Sequence, residues 1–301
     1  MQRLLTHSLV AAVACPMVFT AAAAHGEIVF RDTFDTSLSS GVETDLNFEV
    51  AASGRQFGTL STSTYTEPAL SGAGAFLNVP GGGAFAGQDF LLLRTNYSSA
   101  SSRASAAALD VNLAPSVEGV EYVISFDGLI QAGSTPTSAP STDRWMSLVL
   151  SGSPAAAGSI GAPNAGATDL GLLIRDNGRL TVWGDGAVLE NIIVSGTTGV
   201  TLNEIYSLEL TIDETGAVPE ANISFNNGAY TLGPIEFDFE PGDAGLRGIA
   251  MRGNQGAAGG VGGGALADFR YDNLQVEVIP EPGTLGLAGL GLVCLAARRR
   301  R

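Results

Sequence analysis

The sequence predicts an all-β fold, an antiparallel β-sandwich or jelly roll, flanked by an N-terminal signal peptide and a C-terminal single transmembrane helix. Three observations carry this expectation. Short runs of alternating apolar and polar residues, rich in β-branched and aromatic types, recur through the body of the chain. Asn-Gly steps and small-residue loops separate them, and no window has the 3.6 period of an amphipathic helix. Toward each end lies an uncharged apolar stretch of a different kind, with arginine beside it.

The N-terminal segment has the parts of a secretory leader. Arg3 gives a positive start, and Leu9–Ala14 with Val18 and Phe19 form an interrupted apolar run. Small residues at Ala21–Ala24 place a signal-peptidase cut after Ala24, with Ala22 and Ala24 as the recognised pair. Ala12-Val13-Ala14-Cys15 falls short of a lipoprotein box, since alanine stands three before the cysteine and Pro16 follows it. The expected division is 1–24 signal peptide, 25–279 sandwich domain and 280–301 tail.

The body reads as strands at Glu27–Phe34, Phe90–Arg94, Ala104–Leu113, Val120–Ile130, Asp143–Leu150, Leu170–Arg175, Arg179–Trp183, Glu204–Asp213, Ala221–Phe225, Leu246–Met251 and Ala267–Val278. Tyr206, Leu208, Leu210 and Ile212 alternate cleanly. In the last strand the phase slips between Tyr271 and Leu274, which predicts a bulge at Asp272-Asn273. Asp176-Asn177-Gly178 and Asn226-Asn227-Gly228 predict tight hairpins of type I′, because Asn-Gly tolerates positive φ. Gly81–Gly87, Ala132–Ser141, Gly152–Thr168 and Gly253–Gly264 are read as long loops of one domain, since strand signals resume on both sides of each.

These elements resemble the concanavalin A-like, laminin-G-like sandwich. Phe30-Arg31-Asp32-Thr33-Phe34-Asp35 is similar to its first strand. Tyr206–Asp213, Ala221–Gly228 and Tyr230-Thr231-Leu232 are similar to its late run of strands, and Tyr271-Asp272-Asn273-Leu274-Gln275-Val276 to its closing strand. The resemblance implies that first and last strands lie side by side.

The tail is a motif of another order. Pro280-Glu281-Pro282 precedes Gly283–Ala297, 15 uncharged residues, and Arg298, Arg299, Arg300 and Arg301 close the chain. As a helix the apolar run is roughly 22 Å long, short against a hydrocarbon core of about 30 Å. Arginines directly after an apolar run stay cytoplasmic, which puts the body on the far side of the membrane. The prolines cannot extend the helix backwards and leave Glu281 in an extended, accessible strip. This order of parts resembles the PEP-CTERM sorting signal of Gram-negative bacteria. The resemblance implies that an exosortase, a membrane cysteine transpeptidase-like enzyme, cuts near Pro-Glu-Pro. The body is then exported to the cell surface or extracellular matrix after a transient stay in the inner membrane.

Composition narrows the function. Residues 27–279 hold 10 arginines against 29 carboxylates, 10 − 29 = −19, and the whole chain has no lysine. No basic stripe exists to displace counterions from phosphates, so nucleic acid is excluded as a partner. Cys15 and Cys294 both lie in segments expected to be removed, so the mature domain has neither disulfide nor thiol. His7 leaves with the leader and His25 stands at the new terminus. Ser–His–Asp and Cys–His arrangements, a Schiff-base lysine and a His/Cys zinc site are all impossible in the interior. The Gly81–Gly83 and Gly262–Gly264 runs lack the lysine and helix of a phosphate loop.

Only carboxylates remain for acid–base work. Glu209 and Asp213 are four apart, with Glu214 adjoining, which misses the Glu-x-Asp-x-x-Glu pattern of sandwich-fold hydrolases. Glu236, Asp238 and Glu240 fall on one face of an expected strand, followed by Asp243. With loop carbonyls they form a candidate Ca²⁺ site; the competing and preferred reading is a solvated acidic face, with no cofactor. Trp145 and Trp183 sit among Met146, Leu148, Leu180 and Val182 and are expected in the core, with sugar-stacking platforms as the alternative. The expected function is a non-catalytic, exosortase-processed surface or matrix protein associated with exopolysaccharide. A glycan-binding module, with or without Ca²⁺, is the alternative, and a carbohydrate-active enzyme ranks third. An exposed aromatic on a concave sheet separates the second from the first, and two carboxylates facing across a cleft raise the third.

Overall fold

The computed structural model describes residues 26–35, 41–43, 46, 65–66, 73–79, 89–96, 103–110, 121–132, 144–152, 169–184, 187–192, 198–239, 245–255 and 266–279. The expected leader, the Pro280–Arg301 tail, Glu240 and Asp243 lie outside them. Every element among the described residues is a strand: β1 Glu27–Asp32, β2 Gly41–Glu43, β3 Tyr65–Thr66, β4 Ala73–Val79, β5 Phe90–Asn96, β6 Arg103–Asp110, β7 Glu121–Ala132, β8 Arg144–Ser151, β9 Leu170–Arg175, β10 Leu180–Gly184, β11 Ala187–Ile192, β12 Ile205–Asp213, β13 Glu220–Phe225, β14 Tyr230–Glu236, β15 Gly248–Gln255 and β16 Leu266–Ile279.

They form two antiparallel sheets, as the all-β sandwich expectation requires. The larger has nine strands, ordered β14-β13-β12-β7-β16-β5-β4-β2, with β1 also paired to β16. The smaller has seven, ordered β11-β10-β9-β8-β15-β6-β3. β16 spans 14 residues, which lets its first half pair with β5 and its second half with β1 on the same side. First and last strands therefore lie together, Arg31 opposite Gln275.

Alternation decides which side chains face inward. Tyr206, Leu208, Leu210 and Ile212 of β12 are buried, as are Met146, Leu148 and Leu150 of β8, and both sets belong to one core between the sheets. An aromatic row crosses the inner face of the larger sheet. Tyr230, Phe225, Tyr206, Phe126 and Tyr271 follow one another at centroid distances of 6.2, 6.0, 6.3 and 5.2 Å. Gly128 makes room for it: a Cβ there would meet the Tyr206 ring at 2.5 Å. The Tyr271 hydroxyl spans the sandwich, sharing its one hydrogen between the backbone carbonyls of Arg252 (2.9 Å) and Ser147 (3.0 Å) in the opposite sheet.

The bulge expected in the last strand is present. The β16–β7 register shifts between Asp272 and Gln275, and Asn273 has φ 53°. The pair Phe225–Tyr230 encloses a four-residue loop with φ of 51°, 55° and 85° at Asn226, Asn227 and Gly228 and Ala229 N–H donating to Asn226 C=O; Asn227 and Gly228 have the positive φ expected of an I′ pair, in a loop longer than the expected tight hairpin. The other hairpin differs. At Asp176-Asn177-Gly178 only Gly178 has positive φ, 77°, and its N–H donates to Arg175 C=O. Three residues, not two, close the loop, because Arg175 and Arg179 still pair and the extra residue needs one left-handed position, which glycine takes at least cost.

Candidate functional site

On the outer face of the nine-stranded sheet lies an open groove of about 620 Å³. Its floor follows from strand register. Ser224 of β13 pairs with Glu209 of β12, Glu209 with Ser125 of β7, Ser125 with Gln275 of β16, and Gln275 with Arg31 of β1. Five hydrogen-bonding side chains thus form one row across five adjacent strands, about 19 Å from end to end at strand spacings of about 4.8 Å. The aromatic row runs beneath it on the other side of the same strands. Within the row the short Ser125 lies between the longer Glu209 and Gln275, with Ser224 at one end and Arg31 at the other.

The bulge shapes one wall. It turns Asn273 into the groove, where its side-chain amide donates to Asp127 at 2.9 Å. Asn227 and Gly228, from the β13–β14 turn, form another part of the lining. Asn226 fixes that turn: its backbone N–H donates to Ser207 C=O, its Oδ1 accepts from Ser207 N–H, and its Nδ2 donates to Thr198 C=O. Gln275 donates to Glu277 at 3.3 Å.

Asp272, beside Asn273 in the bulge, is buried. Desolvation raises its pKa to about 7; the hydrogen bond from Asn273 N–H opposes the rise, and the charges of Asp127, Asp35 and Asp32 add to it. Asp32 is itself buried and accepts from Phe34 N–H at 2.8 Å. A second perturbed carboxyl, Glu214, lies elsewhere. Burial lifts it to about 7 against hydrogen bonds from Leu246 N–H and the Tyr122 hydroxyl.

The residues singled out from sequence fall as follows. Glu236 ends β14, and Asp238 lies beyond it; both are exposed while Phe237 between them is buried and packs edge-on to Phe239 at 5.4 Å. Among the described residues no three His, Cys, Asp or Glu side chains are placed to hold a metal ion. Trp145 and Trp183 are not in the core. Both stand half-buried on the outer face of the seven-stranded sheet, because they are out of phase with the inward Met146 and Val182 next to them. The Arg252 guanidinium stacks 5.3 Å from the Trp145 ring, and burial lowers its pKa to about 10. The groove was missed at the sequence level; its residue types are ordinary for an outward sheet face, and the row exists only through register.

Residues 278–301 match the family model of the PEP-CTERM protein-sorting motif. The chain therefore ends in the sorting signal of exported, exosortase-processed proteins, and the sandwich precedes it. No match is found among the curated proteins. Solved structures similar in fold include a Lotus tetragonolobus seed lectin (9% identity, 79% of this chain and 97% of that one, TM-score 0.44). An alginate lyase in complex with alginate trisaccharide is similar at 15% identity over 85% of this chain and 99% of that one, TM-score 0.44. A lectin from Bauhinia forficata in complex with GalNAc is similar at 12% identity over 80% and 98%, TM-score 0.40. These likenesses are architectural and assign no role to any residue.

Proposed function

We propose that this is a non-catalytic surface or extracellular-matrix protein whose sandwich binds a glycan along the groove of the nine-stranded sheet. The observation that carries this reading is the row Ser224–Glu209–Ser125–Gln275–Arg31. Hydroxyl, amide, carboxylate and guanidinium groups in a line supply alternating donors and acceptors, which suits a chain of sugar hydroxyls. The rigid aromatic row beneath keeps the floor preorganised.

Chemistry in the groove argues against turnover. Asp127, diagonal to Glu209 on the neighbouring strand, is committed as an acceptor to the Asn273 amide. Among the described residues no tyrosine or histidine lines the groove. The sorting signal supports delivery to the surface by way of an exosortase, and a matrix exopolysaccharide is the ligand such a location offers. Calorimetric titration of the exported domain with polysaccharides, coupled to assay of new reducing ends and unsaturated sugars, tests the reading. Saturable binding without cleavage is expected. Accumulating cleavage products would overturn it.

A further inference from the structure

The charges along the groove are unevenly placed, and the placement specifies a ligand. Arg31 stands at one end of the row. Glu209 is three strand spacings away, about 14 Å, which exceeds a Debye length of about 8–10 Å at ordinary ionic strength. Glu277, the diagonal neighbour of Arg31 on β16, accepts from Gln275 instead. Among the described residues no carboxylate is paired with Arg31. The middle of the groove is opposite in sign, with Asp127 and Glu209 both lining it.

Resting on the glycan-binding reading, we infer that the groove takes an acidic heteropolysaccharide, one whose repeat carries a single carboxylate among neutral sugars. The carboxylate lies on Arg31, whose planar guanidinium suits it in bidentate fashion. The neutral sugars lie over Ser125, Glu209 and Ser224, where a carboxylate acting as acceptor binds hydroxyls well. A polymer charged on every sugar sets its carboxylates against Glu209 and Asp127, in a domain of net charge −19 (10 arginines less 29 acids over 27–279), and is rejected.

Gellan, with one glucuronate per repeat, its carboxyl-reduced form and polygalacturonate test this against wild type and Arg31→Gln. Wild type is expected to bind gellan about tenfold more tightly than the reduced form, the scale of one charge-assisted hydrogen bond at a half-exposed site. Arg31→Gln should erase that difference by weakening gellan far more than reduced gellan. Wild type binding both gellan forms alike, Arg31→Gln weakening both alike, or polygalacturonate binding as tightly as gellan would overturn the inference and leave glycan binding standing. Failure of the folded wild type to bind any of the three overturns both. Thermal melts of the variant confirm that it is folded.

Discussion

The side-chain amide of Asn273 donates to the carboxylate of Asp127 at 2.9 Å, from a residue held at φ 53°. The bulge in β16 thereby does two things. It keeps Leu274, Val276 and Val278 in the core despite an extra residue, and it aims a polar side chain into the groove. Asparagine is among the few side chains tolerant of left-handed backbone.

Substitution at this position separates the two roles. Asn273→Gly keeps the backbone and loses the hydrogen bond; Asn273→Ala loses the bond and strains the backbone. Denaturant melts are expected to rank them wild type, then Gly, then Ala, with the alanine variant less stable than wild type by about 1–3 kcal/mol. An alanine variant as stable as wild type would mean that the bulge conformation is not required.

Two buried tyrosines should respond to loss of the hydroxyl with opposite signs. Tyr271 donates across the sandwich to Arg252 and Ser147, so Tyr271→Phe should cost about 1 kcal/mol. The Tyr206 hydroxyl is buried and makes no hydrogen bond among the described residues, so Tyr206→Phe should be neutral or stabilising by up to about 1 kcal/mol. Equal destabilisation of both variants in chemical melts would contradict the placement of these hydroxyls.

The pH dependence of stability follows from Asp272 and Glu214. Both carboxyls have folded pKa values raised to about 7 from ordinary values of 3.8 and 4.5, chiefly by desolvation. A raised carboxyl binds its proton more tightly folded than unfolded. Stability from these groups is therefore full below pH about 4 and declines as pH rises to about 7, then levels. Asp272→Asn retains an oxygen to accept from Asn273 N–H and cannot ionise. Its melting temperature should exceed that of wild type at pH 8 and converge with it near pH 4. A variant that is less stable at pH 8 would show that the ionised Asp272 is held by a compensating positive charge.

The leader and the tail predict one clipped end each. Intact-mass analysis of protein recovered outside the cell should find a species lacking about residues 1–24 and the residues after roughly Pro282. A secreted species still carrying Arg298–Arg301 would mean that the PEP-CTERM motif at 278–301 is not processed.

Much of the fold was legible because strand alternation is local. Leu170–Arg175 coincides with β9, and the slip between Tyr271 and Leu274 marks the bulge. β2 and β3, of three and two residues, are too short to show alternation; Ala73–Val79 of β4 and Ala187–Ile192 of β11 escape because Gly, Ala and Asn in those segments weaken the alternation that marks a strand. Trp145 and Trp183 were assigned to the core by their apolar neighbours, when phase places them on the outer face. The groove could not be read at all. Arg31 and Ser224 meet in one row only because β1 and β13 are placed by the register of three strands between them. A polar outward residue is also the default on a solvated sheet face, so it gives no local signal.

The groove itself is tested most directly by filling it. Ser125 lies at the centre of the row, and Ser125→Trp puts an indole across the floor; Val188→Trp, at an exposed position of β11 in the seven-stranded sheet, is the control. Polysaccharide binding by titration calorimetry, with folding verified by thermal melts, is expected to be lost in the first variant and unchanged in the second. A folded Ser125→Trp protein that binds as wild type does would contradict the assignment of this groove as the glycan site.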